Sequence, residues 1–318
     1  MAADSGRATV IGAGTIGLSW TALFLARGLQ VQVNSRRPDA DRLISEAVLM
    51  HAPAIPGCAD PAELLARVGT EPDVERSLAG ADIVQESGPE NLELKQDLFA
   101  SVERAASPQA LLLSSTSTFS PVAIAARMKD PGRLIVGHPF NPPHVMPLVE
   151  VVASQETSEE LIDRAAGFYR EIGKAPVVLR RAPMGFVANR LQAALLREAV
   201  HLVREGVVTV DELDRVVTSS IGLRWAVTGP FQTFHLGGGP GGLRHWLSHL
   251  GVSLDRNWEQ LGRPTMDRAT QALLIEQAER AFGGRPFSEQ CRQRDARLTG
   301  ILRALGDVPP FVSNGDAG

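Results

Sequence analysis

Tyrosine occurs once in these 318 residues, cysteine twice, and aromatic residues together supply 5% of the chain. The two cysteines, Cys58 and Cys291, stand far apart and in no Cys-x-x-Cys pair. That spacing argues against a disulfide framework and against a cysteine-built zinc site, so no metal is expected and a reducing cytoplasm fits best. Charge of one sign is also lacking. Thirty-six acidic against 32 basic residues leave a net charge of -4, with no dense positive field to track a phosphate backbone, so nucleic acid is not expected as a partner. The longest apolar run, Val10 to Ala26, is interrupted by Gly12, Gly14 and Gly17 and closed by Arg27, which excludes a membrane span there. Met1 to Arg7 is polar and carries no signal-peptide pattern, so a cytoplasmic location is expected. What remains is a composition of 44% hydrophobic and 21% charged residues, ordinary for a globular chain of one large or two average domains.

The first half alternates short β-branched runs with amphipathic helical patterns, the signature of parallel β-α-β units. Strands are expected at Ala8 to Ile11, Gln30 to Asn34, Asp82 to Glu86, Leu111 to Ser114, Leu134 to His138, Leu148 to Val152 and Ala175 to Leu179. After Pro183 the pattern becomes helical. Val187 to Glu205 and Val210 to Ser220 read as helices, the second capped by Thr209, and Gly237 to Gly242 reads as a loop. The expected fold is therefore α/β, a Rossmann-type doubly wound sheet over 1–183 followed by an all-helical domain over 184–306. Residues 307–318 read as a flexible tail.

Gly12-Ala13-Gly14-Thr15-Ile16-Gly17 spells G-x-G-x-x-G between a strand and a helix. In that context the first glycine allows the tight turn, the second lets a pyrophosphate approach the backbone, and the third permits close helix-strand packing, so dinucleotide binding is expected. An NAD-preferring enzyme carries an acid at the end of the second strand, about 20 residues beyond the first glycine. Here Asn34, Ser35, Arg36 and Arg37 stand there instead. Two cations and small donors suit a 2′-phosphate, which points to NADP(H) as the preferred cofactor, with NAD(H) the other candidate.

Further along, Gly137-His138-Pro139-Phe140-Asn141-Pro142-Pro143 ends one strand and Pro147-Leu148-Val149-Glu150-Val151-Val152 forms the next. On these motifs the chain resembles the 3-hydroxyacyl-CoA dehydrogenase superfamily, and three further stretches agree: Gln85 to Lys95, Ser114 to Ser117 and Gly185 to Leu191. Within it, Gly222-Leu223-Arg224-Trp225-Ala226 and Gly241 to His245 look most like the branch holding lambda-crystallin/L-gulonate 3-dehydrogenase and L-carnitine dehydrogenase. The resemblance implies that His138 is the acid-base residue, paired with Glu150, and that Ser117, Asn141 and Asn189 bond around the reacting oxygen, the cofactor and the substrate's second carbonyl. It places Glu86 and Lys95 along the nicotinamide side. It also implies a homodimer built through the helical domain. The chemistry is coherent: oxidising a secondary alcohol needs a base for its proton, and histidine titrates near neutral pH.

Other dehydrogenase chemistries fit less well. The short-chain type needs Tyr-x-x-x-Lys, yet Tyr169 is followed four places on by Gly173. A β-hydroxyacid dehydrogenase needs a lysine shortly before its asparagine, and Lys95, Lys129 and Lys174 all lie away from Asn189. Between Arg37 and Asp82 there is room for one helix rather than the long hairpin of acyl-CoA enzymes, which favours a small acid, ester or other β-keto compound over a CoA thioester. Relatives acting on carnitine tend to carry Glu in a G-x-x-E-T motif, where this chain has Gln232. Arg224, Trp225, Phe231 and His235 are candidates for the pocket wall. The expectation is an oxidoreductase interconverting 3-hydroxy and 3-oxo groups on a small carboxylate, ester or related carbonyl substrate, an NADPH-linked reductase in the cell. The alternatives are an NAD-dependent 3-hydroxyacyl-CoA, L-gulonate or carnitine-type dehydrogenase, and a non-catalytic, crystallin-like dinucleotide binder.

Overall fold

The computed structural model describes residues 6–249 and 251–306. The tail expected at 307–318 lies outside the described residues. Eight strands form one sheet: β1 Arg7–Ile11, β2 Gln30–Asn34, β3 Val68–Glu71, β4 Ile83–Glu86, β5 Leu111–Ser114, β6 Leu134–Pro139, β7 Leu148–Val152 and β8 Ala175–Val178. Their order across the sheet is β3-β2-β1-β4-β5-β6-β7-β8, parallel throughout except for the antiparallel pair β6-β7. Seven of these match the strands read from the sequence. The eighth, β3, was not anticipated, because Val-Gly-Thr-Glu is short, partly exposed and lacks the β-branched run that marks an inner strand.

The sequence order reverses direction between β1 and β4, and the carboxyl ends of the strands open a crevice at such a switch point. Inner strands are buried on both faces, as a parallel sheet covered by helices requires: β5 and β6 carry no exposed residue. Alternation sends successive side chains to opposite cores. Leu111 and Leu113 join Trp20, Phe24 and Tyr169 on one face, and Leu112 joins Phe99, Val102 and Phe186 on the other. The helix Thr15–Ala26, which follows the glycine turn, is apolar nearly all round and correspondingly sunk in the first core.

The chain divides into two compact units, Met1–Asn189 with Cys291–Ala304, and Arg190–Gln290 with Leu305–Gly318. A single cut near Pro183 does not describe this division, since most of the last helix, Phe287–Gly306, belongs with the sheet. The second unit is helical. Its helix Val210–Thr218 starts at a capping box in which the Thr209 backbone N–H donates to the Glu212 carboxylate at 2.9 Å. The Gly237 to Gly242 stretch separates the helices Pro230–Gly237 and Gly242–His249.

Tyr169, fully buried, donates its hydroxyl to Gln85 at 2.8 Å, and burial pushes its pKa up. The ring reaches Gln85 across β6 only because residue 137 has no side chain: a Cβ there would overlap the Tyr169 hydroxyl. Gly137→Ala is therefore expected to destabilise the fold by about 1–3 kcal/mol, the usual cost of overpacking, read as a lower urea midpoint at unchanged slope. An unchanged midpoint would show that the ring has room to move.

Candidate active site

The glycine turn joins β1 to the helix Thr15–Ala26. Gly12 adopts φ +111°, and a Cβ on it would stand 2.7 Å from the Ser87 carbonyl oxygen. A Cβ on Gly17 would overlap the Gly12 carbonyl oxygen, so this glycine lets the helix close on the turn. A Cβ on Gly14 meets nothing within 4 Å, which leaves open space at the helix N-terminus, where Thr15 and Ile16 begin the first turn. The open position, the amide-rich helix end and the lack of an acid in that turn fit a pyrophosphate.

At the end of β2 the structure corrects one expectation. The Asn34 side chain is buried and donates to the Glu71 carbonyl at 2.8 Å, while the Asn34 carbonyl accepts from the Gly12 N–H at 2.9 Å. It braces β2, β3 and the glycine turn rather than offering its amide to a ribose. Ser35 accepts the Arg37 N–H at 3.2 Å. The Arg37 guanidinium is held by both oxygens of Asp39, at 3.0 and 3.1 Å, which raises its pKa and holds that of Asp39 down. Arg36 is exposed beside it.

His138 closes β6 and Glu150 lies in β7, and the antiparallel register sets the two opposite one another. His138 Nδ1 and Glu150 Oε2 are 2.9 Å apart, both side chains almost wholly buried. The other carboxylate oxygen, Oε1, accepts the backbone N–H groups of Val187 at 2.8 Å and Ala188 at 3.1 Å, at the start of the helix Ala188–Arg204. Backbone N–H groups at a helix start are donors suited to a carboxylate, and here they hold Glu150 in place beside the imidazole. Gly185 (φ +76°) and Phe186 (φ +49°) precede these amides, and the Phe186 ring tilts against His138 at 5.3 Å. A non-glycine residue in the left-handed region stores strain. Here it turns two N–H groups onto Glu150 and leaves Asn189 in the first helical turn.

Ser117 follows β5 and is half-buried. Its N–H donates to Glu90 Oε1 at 2.7 Å and its hydroxyl lies 3.3 Å from the same oxygen, while Thr116 donates to Glu90 at 2.8 Å. Asn141 is exposed at the head of the loop joining β6 to β7. That loop is tied by Lys174, whose ammonium donates to the Pro143 carbonyl and, at 3.0 Å, to the Met146 carbonyl. Burial lowers the Lys174 pKa to about 7, and the Trp20 ring face lies 5.6 Å from its ammonium.

Glu86 and Lys95, expected along the nicotinamide side, are turned inward. They form an ion pair at 2.6 Å with 0% and 3% of their side chains exposed. Glu86 Oε1 also accepts the Gly88 N–H, and Oε2 accepts the Ser114 hydroxyl. Their charges thus fix the ends of β4 and β5. Arg224, Trp225, Phe231 and His235 all belong to the second unit and are exposed there. Arg224 and Trp225 end the helix Ile221–Trp225, Phe231 is the second residue of the helix Pro230–Gly237, and His235 Nδ1 accepts the Leu243 N–H at 3.2 Å, bracing the turn at Gly242. Sequence reasoning missed Glu90 and the paired amides of Val187 and Ala188. Glu90 lies inside a motif already singled out, but backbone donors leave no side-chain signature.

Residues 7–182 match the family model described as "3-hydroxyacyl-CoA dehydrogenase, NAD binding domain", and residues 185–272 match its C-terminal domain. The chain belongs to the 3-hydroxyacyl-CoA dehydrogenase family. As a member it is a nicotinamide-dependent oxidoreductase acting on CH–OH donors. Among its family relatives, L-carnitine dehydrogenase of Streptomyces griseus is 42% identical over 308 residues, covering 96% of this chain and 92% of the relative. A 3-hydroxyacyl-CoA dehydrogenase of Gibberella moniliformis is 38% identical over 301 residues, with 93% of each covered. Of solved structures, the NAD+-dependent 5-formyl-3-hydroxy-2-methylpyridine 4-carboxylic acid 5-dehydrogenase gives a TM-score of 0.76 at 27% identity, covering 96% of this chain and 100% of that one.

Glu150→Gln tests the clamp in this family member. The amide oxygen can still accept from Val187 and Ala188, so the fold should persist, but the imidazolium loses its anion. We expect kcat to fall by about 10²- to 10⁴-fold with cofactor affinity unchanged. A kcat within about threefold of wild type would mean that Glu150 serves only the helix.

Proposed function

We propose that this dehydrogenase interconverts a 3-hydroxy and a 3-oxo group on a small carboxylate-type substrate, using NADP(H) in preference to NAD(H) and running as a reductase in the cell. The observation that carries the reaction is the Glu150 carboxylate, shared between His138 Nδ1 and two backbone N–H groups. The nicotinamide, when bound, supplies or accepts the hydride. His138, its Nδ1 committed to Glu150, uses Nε2 to take the hydroxyl proton or return it to the developing alkoxide. Glu150 fixes the ring's orientation and stabilises its protonated form, the office of the third group in a charge-oriented triad. Ser117 and Asn189 are proposed to donate to the reacting oxygen and to the substrate's second carbonyl, with Asn141 at the cofactor.

For the cofactor, the missing acid at the end of β2 and the exposed Arg36 support a 2′-phosphate. Asp39 opposes it at Arg37, whose guanidinium is already paired, so Arg36 is proposed as the main phosphate ligand. Fluorescence titration should give tighter binding for NADPH than for NADH, and Arg36→Ala should weaken NADPH alone by about tenfold. Equal affinities, or a loss shared by both cofactors, would return the enzyme to NAD.

The substrate reading rests on the short connection between β2 and β3, where Ala40–His51 is followed only by brief turns and no long hairpin. A second reading, carnitine itself, is favoured by the names of several relatives at about 40% identity. Gln232 opposes it, because a quaternary ammonium is best met by anionic or aromatic walls. Assay of carnitine, small β-keto acids, their esters and their CoA thioesters decides among these. His138→Ala should abolish turnover of whichever is used while sparing cofactor binding, and turnover that survived it would overturn the acid-base role of His138. Cofactor binding by the wild type with no turnover of any of these substrates would support the non-catalytic, crystallin-like role. A homodimer is proposed from the exposed Leu191, Leu196, Val207 and Phe231 of the second unit.

A further inference from the structure

We propose that His51, His144 and Asp295 form a binding site for one divalent cation of zinc's class, inside the unit that carries the sheet. His51 ends the helix Ala40–His51, His144 lies in the loop between β6 and β7, and Asp295 lies in the helix Phe287–Gly306. All three are more than nine-tenths buried, and one ligand atom of each falls within 4.8 Å of the others. This departs from the expectation that the protein holds no metal, which considered cysteine alone.

Two independent observations point to a ligand. The first is the donor set: two imidazoles and one carboxylate, the three-ligand complement that zinc takes with water in a fourth position. The second is an orphan. His51 Nδ1 is the one buried side-chain nitrogen or oxygen without a hydrogen-bond partner among the described residues. Its ring stacks on that of His144 at 4.0 Å, so His51 is presented to the cluster by packing while its polar atom goes unanswered. A purely structural His-Asp brace accounts for His144 and Asp295, which meet at 3.0 Å, but leaves His51 unexplained.

The surroundings suit a held ion. Ser19 Oγ lies 2.8 Å from His144 Nδ1 and also accepts the His144 N–H at 2.9 Å, fixing the ring so that Nε2 faces Asp295. Such outer partners orient metal-bound histidines. Arg294 occupies Oδ1 of Asp295 at 2.8 Å, which leaves Oδ2 for the ion. On binding, the ion displaces the hydrogen bond between His144 Nε2 and Asp295 Oδ2. The Nε2 proton of that bond is released, His144 ligates as the neutral imidazole with its one N–H at Nδ1 donated to Ser19 Oγ, and no electron is transferred. The ion would then pin the last helix to the loop that follows His138. This inference does not depend on the substrate or cofactor proposed above.

The test uses the full, tag-free chain, stripped with a chelator and titrated with Co²⁺, then with Zn²⁺ in competition with a chromophoric chelator. One ion per chain, the visible absorption of four-coordinate cobalt, and a melting temperature raised by roughly 5 °C at saturating Zn²⁺ are expected. His51→Ala and Asp295→Asn should each weaken Zn²⁺ binding by more than about tenfold. Asp295→Asn keeps a hydrogen bond to His144, so it decides the matter if His51→Ala proves unfolded by circular dichroism. Absence of stoichiometric binding, or affinity undiminished in the folded variants, overturns the proposal.

Discussion

One buried carboxylate holds this site together. Glu150 sits in an inner strand where an ionised group without partners would be prohibitive, so everything around it has to pay in hydrogen bonds. It receives His138 on one oxygen and two consecutive backbone N–H groups on the other. Those amides exist in that place only because Gly185 and Phe186 both take positive φ, and a phenylalanine accepts that conformation because its ring is enclosed against His138. Strand register, backbone strain and helix start are thus three conditions on a single anion.

The same logic, with the opposite outcome, governs Glu86 and Lys95. Their pairing is as buried as that of His138 and Glu150, but every strong partner of Glu86 is internal: Lys95, the Gly88 N–H and the Ser114 hydroxyl. A charge satisfied on all sides by its own chain positions strands. A charge paired with a titratable ring whose second nitrogen remains for the substrate can do chemistry. Geometry separates the two cases where motif position does not.

This also marks what could be read from the residues alone. The parallel sheet was legible because buried strands are written as β-branched runs and the glycine turn has a fixed spacing, and His138 with Glu150 was legible only through the family resemblance carried by the motifs at Gly137 to Pro143 and Pro147 to Val152. β3 was not, since an edge strand of Val-Gly-Thr-Glu has no inner face to declare itself. The turning inward of Asn34 depends on the carbonyl of Glu71 in that unread strand. The grouping of His51, His144 and Asp295 escaped because proximity across three separate elements leaves no local pattern, and Asp295 lies 151 positions beyond His144.

The interleaving of the two units bears on how the chain is made. Cys291–Ala304 packs with the sheet, whereas the intervening Arg190–Gln290 forms a compact body of its own. Domains emerging from a ribosome ordinarily fold in order, amino-terminal first. Here the nascent sheet must wait, its place for the last helix unfilled, until the whole intervening body has been translated.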